Sequence, residues 1–142
     1  MFLRGRIVLT ALGLICMSIS SAHAATAKVL CYLWADQASP ALNSPYTPDP
    51  TYSFNSRRQA ISVTKGATGV YFVTCTGEGG RSPGGHVQVS SYGSGLNTFC
   101  HVGSWDTGGP DFSAEVDCFG RGGGTGGGPA PADSRFDLLF VR

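Results

Sequence analysis

The stretch Thr98 to Phe119, TFCHVGSWDTGGPDFSAEVDCF, decides the fold: two runs of alternating character meet at Thr107-Gly108-Gly109-Pro110. Side chains on a strand point to opposite faces in turn, so a hairpin register can be judged by whether it gives both strands consistent faces. The register that opposes Cys100 to Cys118 also opposes Val102 to Val116 and Ser104 to Ala114, a small and largely apolar face. On the other face it opposes Phe99 to Phe119, His101 to Asp117, Gly103 to Glu115 and Trp105 to Ser113. A slip of one residue would part the cysteines and mix the faces. The stretch therefore predicts an antiparallel hairpin closed by a Cys100–Cys118 disulfide.

Outward from this hairpin, further short alternating runs are separated by glycine, proline and polar residues. They cover Lys28 to Ala35, Thr51 to Asn55, Ala60 to Lys65, Val70 to Thr76, His86 to Tyr92 and Arg135 to Val141. Beyond the N-terminus no helical period is present, and the composition favours Gly, Ser, Thr, Val and aromatics over the residues that form long helices. Alternation places Val29, Cys31 and Leu33 on one side of the first run and Tyr71, Val73 and Cys75 on one side of another. A Cys31–Cys75 disulfide inside the core fits both. Four cysteines allow three connectivities, and the other two stay open on sequence alone. The expected fold is all-β: a two-sheet antiparallel sandwich, jelly-roll-like, with two disulfides.

Residues 1–24 read as a cleavable signal peptide, with Arg4 and Arg6 ahead of an apolar run and Ala22-His23-Ala24 as the cleavage box. That run is shorter than the roughly 20 residues a spanning helix needs. Cys16 follows Ile15 rather than a small residue, which argues against lipidation. Cleavage turns five cysteines into the even set Cys31, Cys75, Cys100 and Cys118 and leaves residues 25–142 as a single β-sandwich domain. The protein is expected to be secreted, extracellular or periplasmic, monomeric, and free of membrane contact after cleavage. Without Arg4 and Arg6, eight basic residues face nine acids, and no clustered basic face points to nucleic acid.

Motifs for chemistry are sparse. The cysteine spacings of 44, 25 and 18 do not resemble the close pairs of structural zinc sites. His86 and His101 lack carboxylates at ligand-like spacing, and Asp106, Asp111 and Asp117 form no calcium loop. The Gly120 to Gly128 tract lacks the Gly-Lys-Ser/Thr ending of a phosphate loop and leads into Pro129-Ala130-Pro131-Ala132, so it reads as a flexible connection. His101 opposite Asp117 is the one pair a hydrolase could use, but no nucleophile motif accompanies it, and a cross-strand ion pair accounts for it. No cofactor, metal or catalytic residue is expected.

The segment Asp36 to Tyr52 is more informative. Pro40, Pro45, Pro48 and Pro50 favour extended backbone without regular pairing, and Tyr46 and Tyr52 lie within it, with Phe54 just beyond. These aromatics either fold back over an open end of the sandwich or, with Trp34 and Trp105, form a stacking platform for sugar rings. Tyr46, Tyr52, Trp34 and Trp105 are thus the candidate ligand contacts.

The runs Gly85-His86-Val87-Gln88-Val89-Ser90-Ser91-Tyr92-Gly93, Cys100-His101-Val102 with Trp105, Val116-Asp117-Cys118-Phe119 and Asp133-Ser134-Arg135-Phe136 resemble a family of small exported bacterial β-domains. Its pattern is GxVxVxxYG, CxVxxW, VxCF and DSxF. The Gly120 to Gly128 tract departs from it as an expanded loop. A weaker likeness, in Gly69 to Thr74 and Asp133 to Phe136, is to the jelly-roll domains of the first complement component. The resemblance implies a β-rich exported domain and no particular active residue. The expected function is an exported binding module for a glycan or a protein surface. The alternatives are an extracellular structural or interaction protein, a small secreted inhibitor, and last a hydrolase using His101 and Asp117.

Overall fold

The computed structural model describes residues 26–80, 84–92, 97–122 and 127–142. The expected signal, residues 1–24, and the centre of the glycine tract, residues 123–126, lie outside the described residues. In chain order the strands are β1 (Val29–Ala35), β2 (Pro45–Tyr46), β3 (Phe54–Asn55), β4 (Ile61–Ala67), β5 (Val70–Cys75), β6 (His86–Tyr92), β7 (Thr98–Asp106), β8 (Phe112–Gly120), β9 (Ala130–Pro131) and β10 (Arg135–Val141). They form two antiparallel sheets: a four-stranded one in the order β3-β1-β10-β6, and a six-stranded one in the order β2-β4-β5-β8-β7 with β9 also on β8.

The inward faces follow from alternation. Cys31, Leu33 and Ala35 of β1 and Phe136, Leu138 and Phe140 of β10 are buried, and so are Ile61 and Val63 of β4, Tyr71, Val73 and Cys75 of β5, and Phe112, Ala114, Val116 and Cys118 of β8. Phe112 stacks on Phe140 across the two sheets with ring centroids 4.1 Å apart, and Tyr71 meets Phe136 at 5.3 Å. Both expected disulfides are present. Cys31–Cys75 joins one sheet to the other, while Cys100–Cys118 ties β7 to β8 within one sheet.

Four local expectations are corrected. The hairpin register holds from Phe99↔Phe119 through Val102↔Val116, then slips at a β-bulge, so Ser104 opposes Glu115 and Trp105 opposes Ala114. The extra residue is Gly103, where a Cβ would lie 2.6 Å from Asp117 Oδ2. A second bulge, between Val29 and Cys31, turns Val29 out to solvent and Leu30 into the core. The run expected as a strand from Thr51 begins instead with a 3₁₀ turn, Pro50–Tyr52, because Pro50 lacks the amide a ladder needs and Asp49 caps the turn by accepting from Thr51 N at 2.8 Å. The prolines do not prevent all pairing in the preceding segment: Pro45 and Tyr46 pair with Thr64 and Val63 at the sheet edge. Ala130 and Pro131 likewise pair, continuing along β8 beyond the point where β5 ends.

Polar ties hold the connecting segments in place. The Tyr71 hydroxyl donates to Ala38 O at 2.6 Å and accepts from Ser134 N at 3.0 Å; burial pushes its pKa up to about 12. Asp133 accepts from Lys65 Nζ, from Ser39 Oγ at 2.8 Å and from Gly69 N at 2.9 Å. Gly69 can serve this turn because its φ is +72° and a Cβ there would meet Cys118 O at 2.4 Å. Near β3, Asn55 Nδ2 donates to Thr76 O at 2.9 Å and Glu78 Oε1 accepts from Ser56 Oγ at 2.6 Å. These bonds fasten the short β3 edge to the opposite sheet and so fix the ground beneath Tyr52 and Phe54.

Candidate functional site

The outer face of the four-stranded sheet carries the site. Since Cys31, Leu33 and Ala35 point inward, Tyr32 and Trp34 point outward, and on β10 the buried Phe136 and Leu138 leave Asp137 and Leu139 outward. Pairing then arranges these side chains in rows across the sheet. One row reads Phe54, Tyr32, Leu139, Gln88 and the next reads Trp34, Asp137, Ser90. Residues in a row are about 5 Å from strand to strand, and successive rows are about 7 Å apart.

Tyr52 at the end of the 3₁₀ turn and Tyr92 at the end of β6 close on Trp34 from different elements. Their ring centroids lie 5.3 and 5.4 Å from that of Trp34, at interplanar angles of 83° and 80°. Tyr32 stacks on Phe54 at 5.5 Å. Between these rings lies a groove of about 840 Å³, lined also by Thr51, Gln88, Ser90, Asp137 and Leu139. Tyr52 and Tyr92 are 56% and 52% exposed, so the aromatic surface is open to solvent.

Asp137 sits on the central row. Burial pushes its carboxyl above the usual carboxylate range, and no hydrogen bond or ion pair to it occurs among the described residues. The indole N–H of Trp34 is buried and also without an acceptor there. Buried indole N–H groups usually find a partner. Together the groove offers ring faces, a carboxylate acceptor, the amide of Gln88 and the hydroxyl of Ser90. That is chemistry for holding a ligand with apolar faces and hydroxyl edges.

Of the four aromatics singled out from sequence, Trp34 and Tyr52 meet here; Tyr46 and Trp105 do not. Tyr46 lies on the edge strand β2 and packs against the core, with burial pushing its pKa up to about 12. Trp105, 49% exposed, stands on the six-stranded sheet in a shallow depression of about 160 Å³ beside Phe72 and Glu115. Tyr32, Tyr92, Gln88, Ser90 and Asp137 were not singled out. The outward turn of Tyr32 is readable from alternation alone, but placing Asp137 beside Trp34 requires knowing that the last strand pairs with the first.

The His101–Asp117 pair is loose: Nε2 and Oδ2 are 3.9 Å apart, and the imidazole lies flat against Phe119 with centroids 5.5 Å apart. No hydrogen bond from a serine, threonine or cysteine side chain reaches His101 among the described residues. Nor, among those residues, is any group of three or more His, Cys, Asp or Glu side chains placed to hold a metal ion. No family model, curated protein or solved structure matches this chain. Two disulfides fit an oxidising setting outside the cytoplasm.

Proposed function

We propose that this protein is a secreted, disulfide-stapled binding module that recognises a glycan on the outer face of its four-stranded sheet. The observation that carries the reading is the row Trp34, Asp137, Ser90 with Tyr52 and Tyr92 against the indole. Sugar rings present C–H faces that stack on aromatic surfaces and hydroxyl edges that donate to carboxylates and exchange bonds with amides. Trp34 and the tyrosines supply the first contact, and Asp137, Gln88 and Ser90 supply the second. The resemblance to small exported β-domains agrees with export and leaves the ligand to the groove. A second reading, contact with another protein, draws on Phe72, Phe99 and Trp105, which are exposed on the six-stranded sheet.

The two readings use different sheets, so one experiment separates them. Oxidised protein is screened on a glycan array, and Trp34→Ala and Trp105→Ala are measured against the glycans bound. Trp34→Ala should weaken binding at least about tenfold, the effect of losing roughly 1.4 kcal/mol of contact, and Trp105→Ala should leave it unchanged. No glycan bound, or a loss confined to Trp105→Ala, defeats the glycan reading.

A further inference from the structure

We infer that the groove selects a sugar carrying a free, protonated amino group over its neutral and acidic counterparts; this rests on the glycan reading and names the class of glycan. The argument begins with charge. Among the described residues that line the groove, Asp137 is the sole charged side chain. It stands in the middle of the sheet, between Trp34 on β1 and Ser90 on β6, with Leu139 two residues along its own strand. Arg135, two residues the other way, pairs with Tyr92 and is not part of the lining.

A carboxylate drawn partly out of water without a partner is unfavourable unless something completes it. Neighbouring strands bring it none, since no hydrogen bond or ion pair reaches it among the described residues. A sugar hydroxyl would satisfy its hydrogen bonding, whereas an ammonium satisfies both hydrogen bonding and charge. The aromatic surroundings act in the same direction. Ring faces carry a negative quadrupole that attracts ammonium groups, tryptophan most strongly, and Trp34 with Tyr52 and Tyr92 surrounds the same end of the groove. A uronic acid would bring a second negative charge into this space, and N-acetylation would remove the positive charge while adding bulk.

The test compares β-1,4-linked oligomers of glucosamine, N-acetylglucosamine, glucose and glucuronic acid by titration calorimetry at pH 6, with tetramethylammonium as a cation lacking the sugar. The glucosamine oligomer should bind at least tenfold more tightly than the N-acetylated and glucose oligomers, with the glucuronic acid oligomer weakest. Asp137→Asn should erase the amino preference while the neutral oligomers still bind. Glu115→Gln, which removes an acid on the other sheet, should leave the preference intact, separating groove recognition from general attraction. Equal binding of amino and neutral oligomers overturns the inference and leaves the glycan reading standing. Persistence of the preference in Asp137→Asn overturns it, as does tetramethylammonium competing as well as glucosamine. Binding of none of the oligomers also overturns it, and the glycan reading is then decided by the array.

Discussion

Two aspartates show how differently one carboxyl can be used in this fold. For Asp133, burial opposes ionisation, but the hydrogen bonds from Lys65, the Gly69 amide and Ser39, with the charge of Lys65, outweigh it and hold the carboxyl below its usual range. Its contribution to stability is therefore full above the ordinary value of 3.8 and is lost as pH falls through the lower folded value. Asp133→Asn leaves Lys65 buried without its counter-charge, and denaturant unfolding at pH 7 should show a loss of about 3 kcal/mol. Asp137 has the opposite sign. Its folded carboxyl holds a proton more tightly than the unfolded one, so its stabilising contribution is present below 3.8 and lost as pH rises through the raised folded value. Asp137→Asn should thus melt at or above the wild-type temperature at pH 7, and a clear drop would show that the carboxylate has a structural partner.

At the scale of elements, the β7–β8 hairpin was the part best read from sequence, and its single error is instructive. Paired cysteines and alternating faces specify a register only while both strands keep a period of two, and Gly103 breaks it by adding one residue on one side. Glycine at that place is a visible sign of a bulge, but its company of alternating neighbours hides which residue is extra. The Val29–Cys31 bulge hid in the same way, because Leu30 and Cys31 are both apolar enough to face inward. The 3₁₀ turn at Pro50 was missed since aromatic Tyr52 and Phe54 look strand-like, while the proline and its Asp49 cap decide otherwise. Because the hairpin disulfide spans a sequence separation of 18, replacing Cys100 and Cys118 together by serine should cost about 3 kcal/mol in denaturant unfolding. The Cys31–Cys75 pair, with a separation of 44, should cost about 4 kcal/mol on the same treatment. A smaller loss at Cys31–Cys75 than at the hairpin would contradict its part in joining the sheets.

On the scale of the whole molecule, alternation sorted side chains into inward and outward but could not say which outward residues are neighbours. That depends on strand order, which is set by long-range pairing: the last strand lies between the first and the sixth. This order collects Tyr32, Trp34, Asp137, Ser90 and Tyr92 from three separate stretches and sends Trp105 to the other sheet. The chain has two tryptophans, one on each sheet, so each sheet carries its own fluorophore. The most direct test is the tryptophan emission of Trp105→Phe, which reports Trp34, and of Trp34→Phe, which reports Trp105, during titration with the bound glycan. Saturable change in the Trp34 signal, with none from Trp105, is the predicted result; change from Trp105 alone, or from neither, contradicts a binding face on the four-stranded sheet.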